Sequence, residues 1–188
     1  MKGVTGEMKN GGDDLRYFKT VVDRIETLLS CSAGSSQIRL NEEGLRIIRT
    51  RYISKINGYY EKNASAHVCI IHTRKECLAV GINDSVILPS SVPRHAEVDA
   101  ICRLLQKRYR FLSSMRLMVV RFCKTGGISC STPCDRCSRF IEKRLFLFHT
   151  IAFSDQKGDI VIIIADDFDA QKFIHVSRRN RLLSKKKT

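Results

Sequence analysis

With 188 residues and 43% hydrophobic content, the chain is sized for one domain with a real core, which excludes a disordered polyelectrolyte. Its longest apolar run, Ile160 to Ala165, is far too short to span a bilayer, and its polar first twenty residues do not read as a secretory signal. No membrane partner is expected. The net charge of +14 resides in two acid-free stretches, 100–134 and 170–188, each carrying seven bases.

In chain order, residues 1–13 read as a flexible lead. Leu15, Phe18, Val22, Ile25 and Leu29 recur at helical spacing, which predicts an amphipathic helix over 14–30. Ser32 to Gln37 forms a linker, and Asn41 caps a second helix with Leu45, Ile48, Tyr52 and Ile56 on one face. These helices make an N-terminal extension over 14–57. A main domain is predicted over 58–175 and a basic tail over 176–188. Residues 66–73 and 77–82 predict a β-hairpin turning at Thr73-Arg74-Lys75-Glu76. Pro93 introduces a helix that starts at His95 and is expected to bury Val98, Ile101, Cys102 and Leu105. A strand over Met115 to Phe122, a helix over Cys134 to Lys143 and a strand over Phe148 to Phe153 follow. Gln156-Lys157-Gly158 is a turn, Asp159 to Ala165 a final strand, and a short helix is expected near 166–175. The connection between the last two strands is too short for a crossover, so they should pair antiparallel.

Eight cysteines in a small secreted chain would suggest disulfides. Here Cys69, Cys77, Cys102 and Cys123 fall in apolar stretches and read as reduced core residues of a cytoplasm-like compartment. The basic tail also suits a nuclear location or a nucleic-acid contact.

Two short motifs carry chemistry. His95-Ala96-Glu97 comes first, and Pro133-Cys134-Asp135-Arg136-Cys137 supplies two thiols, Cys134 lying 39 residues beyond His95. One imidazole and two thiolates are the three-ligand set of a catalytic zinc, which leaves the fourth position to water. Glu97 follows His95 by two residues, so on a helix it points about 200° around the axis, away from the ligand direction. Zinc lowers the pKa of bound water from near 16 to roughly 7, and Glu97 is the group placed to accept its proton. Cys134 and Cys137 share one face of a helix start, where the helix dipole favours thiolates. A structural zinc, with Cys123 or Cys130 as a fourth ligand, is the competing reading of the same residues.

Together these residues match the H-x-E…P-C-x-x-C signature of zinc deaminases. The stretch from about 66 to 165 resembles the cytidine deaminase-like superfamily. That resemblance implies a three-layer α/β/α sandwich around a mixed five-stranded sheet, here with extra N-terminal helices. It implies Zn2+ on His95, Cys134 and Cys137, with Glu97 as proton shuttle. It also implies substrate contacts at Asn83, Ala96, Ser131 and Thr132. Gly81-Ile82-Asn83 is similar to a G-x-N that precedes the H-A-E motif in many members. Ser85 stands where nucleoside deaminases often carry Glu, which turns the expectation away from free nucleosides. The short last connection and Ser131-Thr132-Pro133-Cys134 resemble the hairpin branch, including its uncharacterised members.

The expected function is hydrolytic deamination of a cytosine base, on a nucleotide or on single-stranded nucleic acid, with the acid-free stretch between the motifs favouring phosphates. Adenine or guanine deamination uses the same chemistry and stays open. The alternative is a catalytically idle deaminase fold acting as a structural or nucleic-acid-binding component. Small family members commonly assemble, so a homo-oligomer is compatible with either.

Overall fold

Alternating branched and apolar side chains commit two neighbouring segments to paired strands, and the rest of the sheet grows from that pair. The structure is a computed structural model, which describes residues 23–29, 42–44, 46–47, 50, 66–83, 95–107, 115–123 and 127–173. Strand β1 (Ala66–His72) turns through Thr73, whose hydroxyl accepts from the backbone N–H groups of Lys75 and Glu76, into β2 (Cys77–Ile82). Helix α1 (Ala96–Gln106), strand β3 (Met115–Phe122), the two-residue strand β4 (Ile128–Ser129) and helix α2 (Asp135–Glu142) follow. The last strands are β5 (Phe148–Ser154) and β6 (Ile160–Ile164).

The sheet order is β2-β1-β3-β5-β6, with β4 paired to β3 off this path. β3 and β5 are parallel, as the crossover through α2 allows; the other pairs are antiparallel. The final hairpin closes on Asp155, whose carboxylate accepts from the N–H groups of Lys157 and Asp159, and on Gly158 at φ 90°. This is the mixed sheet with helices that the cytidine deaminase-like resemblance implies.

Each face of the sheet has its own core. On one, which we call the motif face, α1 and α2 cover Cys69, Ile71, Leu117, Val119, Ile151 and Phe153. On the other, the extension face, Ile25 and Leu29 of the helical stretch 23–29, with Ile47, pack on Val68, Val80, Val120 and Phe122. The remainder of the predicted helices over 14–30 and 41–57 lies outside the described residues, as do the lead and the tail. Among the described residues no helix is long and apolar enough to cross a membrane.

Four local expectations are corrected. α1 buries Ala96, Glu97, Asp99, Ala100, Ile101 and Leu104, whereas Val98 and Cys102 are half-buried and Leu105 is exposed. The cause is close packing: Gly81 of β2 lies so near α1 that an added Cβ would sit 2.2 Å from the Ala96 carbonyl oxygen. Small residues, not the bulkier stripe, therefore face the sheet. Cys123 is also half-buried, while Cys69 and Cys77 are fully buried as expected. The region predicted as a short helix holds 3-10 turns at Ala165–Asp167 and Ala170–Lys172, and β4 adds a sixth strand.

Candidate metal centre

Two helix entrances converge on one point. His95 is the N-cap of α1 and Cys134 the N-cap of α2, both with extended backbones and neither using its side chain as a cap. Their carbonyls begin the helices by accepting from Asp99 N–H at 3.0 Å and Ser138 N–H at 2.8 Å. Their side chains are thereby released to leave the helix axes. His95 Nδ1 lies 3.2 Å from Cys137 Sγ and 3.4 Å from Cys134 Sγ. All three ligand atoms fall within 4.8 Å of one another.

This set fits zinc. Bond lengths near 2.05 Å to nitrogen and 2.3 Å to sulfur put tetrahedral N and S ligands roughly 3.6 Å apart. The observed separations need only a few tenths of an ångström of opening. Among the described residues no fourth ligand joins the cluster, so Cys123 and Cys130 stand outside it; the Cys130 thiol instead lies 3.2 Å from Thr132 Oγ1. That composition is the open three-ligand kind.

The electrostatics express the same donor chemistry. The hydrogen bond from Cys137 holds the Cys134 thiol down to about 4, with His95 adding to the effect against the cost of burial. Cys137, which keeps the proton of that bond, is pushed up by it and by burial. His95 is raised, first by its hydrogen bond to Cys134. Glu97 is 6% exposed and outside the ligand set, and its carboxyl is raised chiefly by burial. The arrangement is a soft three-ligand cluster with one buried, unliganded carboxyl beside it.

The other sequence-predicted contacts are placed as follows. Asn83 directly follows β2, its side-chain oxygen accepting from His67 N–H at 2.9 Å. Ala96 is fully buried against Gly81, and Thr132 is half-buried in the loop before Cys134. Ser131 is 3% exposed, and its hydroxyl donates to the Val119 carbonyl at 2.7 Å while accepting from Ser154 N–H at 2.8 Å. Its own N–H donates to the Ser154 carbonyl. Ser131 thus fastens the Cys134 loop to the middle of β3 and the end of β5.

Two positioning residues escaped sequence reasoning. Asp99, 1% exposed, accepts from Ile82 N–H at 3.2 Å and from Arg103 Nε at 3.1 Å, pinning α1 to the end of β2. Ser154 donates to the Ser129 carbonyl at 2.6 Å. An acid in the first turn of a helix was the visible signal for Asp99; nothing local marked Ser154. The acid-free stretch is also dispersed in space. Arg103 pairs with Asp99 and Lys107 with Glu43 near the C-terminal end of α1, and Arg116 is the second residue of β3, opposite His72 of β1.

No protein-family model matches the chain, and no curated protein matches its sequence. Among solved structures, the chain is similar to a cytidine deaminase from Burkholderia pseudomallei, with 18% identity, a TM-score of 0.41, and 59% of this chain and 82% of that one covered. It is also similar to a dCMP deaminase from the cyanophage S-TIM5 in apo form, with 18% identity and a TM-score of 0.34. That alignment spans 48% of this chain and 66% of the phage enzyme's own length.

Proposed function

We propose that this chain is a zinc-dependent hydrolytic deaminase acting on a cytosine base, presented on a nucleotide or in single-stranded nucleic acid. The observation that carries the reading is Glu97, a buried carboxyl set beside the His95, Cys134 and Cys137 cluster without belonging to it. Those three residues would hold Zn2+, which when bound supplies a water acidic enough to lose a proton near neutral pH. Glu97 is the chain's proton carrier. Its carboxylate takes one proton from the attacking water and gives it to the ring nitrogen of the base. Once the C–O bond has formed, the same carboxylate takes the remaining hydroxyl proton and passes it to the amine, which leaves as ammonia when the C–N bond breaks. Burial raises the carboxyl and keeps it out of contact with bulk water. Asp99 and Ser131 hold the two helix entrances in register, while Asn83, Ala96, Ser131 and Thr132 are the proposed substrate neighbours.

The test is ammonia release from cytidine, deoxycytidine, their monophosphates and a short oligonucleotide, with bound zinc measured in parallel. Glu97→Gln should abolish release, by at least about a hundredfold for a general acid-base group, while retaining one zinc. Activity that survived this substitution would sink the assignment. A wild-type protein that held zinc yet left every cytosine substrate intact would instead support the idle-fold reading.

A further inference from the structure

The extension face ends in a polar row. Backbone register sets His72 opposite Arg116, Arg116 beside Thr150 and Thr150 opposite Ile164, across four strands. The next row inward is apolar: Ile70, Met118, Ala152 and Ile162. An irregularity completes the row. Met115 pairs with Phe148 but Arg116 with Thr150, so His149 is an extra residue on β5, and a bulge of this kind re-aims side chains.

These residues line a groove of about 220 Å³ containing His72, Arg116, His149 and Thr150, with Met118 and Ile162 among its apolar walls. Among the described residues no carboxylate contributes to its lining. His72 Nδ1 donates to the Thr73 carbonyl at 2.9 Å, which fixes its ring and leaves Nε2 as the other polar atom. The groove shares no residue with the His95, Cys134 and Cys137 cluster. The row lies on the extension face, whereas the two helix entrances lie on the motif face, α1 against Gly81 and the Cys134 loop held at Val119.

We propose that this groove is a second binding site, for a phosphoryl oxyanion either free or as a small phosphomonoester. A guanidinium fork matches phosphate oxygens in pairs, and the Thr150 hydroxyl and His149 imidazole add hydrogen bonds from the neighbouring strand. The volume is below the roughly 300–1,000 Å³ of pockets for drug-sized ligands, which selects a compact anion. Ile162, 56% exposed at the sheet edge, offers an apolar surface to an ester group.

The site is tested by calorimetric titration of the full-length protein with inorganic phosphate and, separately, phenyl phosphate. Saturable binding of at least one is expected. Arg116→Gln should weaken it about ten- to a hundredfold, as loss of a charge-assisted hydrogen bond implies, and His149→Ala by a smaller factor. Tighter binding of phenyl phosphate identifies the ester as ligand; equal or tighter binding of inorganic phosphate identifies the free anion. Absence of saturable binding overturns the proposal, as does binding that neither substitution changes, since that would place the anion elsewhere. His149 is exposed, so its variant keeps the test decisive if Arg116→Gln fails to fold.

Discussion

The two faces of the sheet share the same strands and are covered in opposite ways. On the motif face a helix backbone meets a strand backbone: at Gly81 an added Cβ would lie 2.2 Å from Ala96 O and 2.3 Å from Ala100 N. On the extension face the cover is side chain on side chain, with Ile25, Leu29 and Ile47 resting on valines and Phe122. The contrast follows from what each face carries. His95 and Glu97 project from the first turn of α1, so a shift of that helix moves ligand and carboxyl together. The extension face contributes burial, which tolerates repacking, and it gives way to the polar row of His72, Arg116 and Thr150.

The sharpest way to break the comparison is Gly81→Ala. The atoms in its way are backbone, so α1 itself must move, and the strain should exceed the usual overpacking cost of about 1–3 kcal/mol. We expect little folded protein, and zinc below one equivalent in whatever remains. A variant with wild-type melting and full zinc would show that α1 is not seated on β2. Leu29→Ala probes the other face. Leu29 is 0% exposed, and emptying its site should cost about 2–5 kcal/mol while leaving zinc stoichiometry intact. Loss of zinc in step with stability would mean that the faces are not independent. Ser131→Ala should cost less, about 1–3 kcal/mol, by leaving buried partners at Val119 and Ser154 unsatisfied. Because that network holds the Cys134 loop, zinc should also dissociate faster, as read by chelator competition.

The same contrast explains what was legible in the sequence. His95, Glu97, Cys134 and Cys137 stand out because each motif is local in the chain, and the helix entrances that present them are local too. The strands were readable from alternation, and Met115–Phe122 coincides with its predicted bounds. The buried side of α1 was not readable. Val98, Cys102 and Leu105 make the more apolar stripe, but contact with Gly81 and the Asp99 bond to Ile82 turn the helix so that alanines face the sheet. β4 is two residues long and leaves no periodicity to detect. The bonds of Ser131 run to residues 12 and 23 positions away, so its part in holding the Cys134 loop had no local signal. The polar row was invisible for the same reason: His72, Arg116 and Thr150 become neighbours only through register.

The smallest predicted effect belongs to that row. Burial holds the His72 imidazole below its ordinary value, and the Arg116 charge pushes the same way against the hydrogen bond to Thr73. The unfolded chain would protonate this residue near about pH 6.5. Between that pH and the lower folded value, the unfolded state binds a proton that the folded state refuses, so stability falls as pH falls. Above the unfolded value both states are neutral at this residue and it contributes no pH dependence. Melting midpoints followed from about pH 7.5 to about pH 5 should therefore decline more steeply for the wild type than for His72→Gln, which cannot titrate. Parallel slopes would show that His72 accepts its proton without cost, and that this end of the extension face is open to water and not part of the packed sheet.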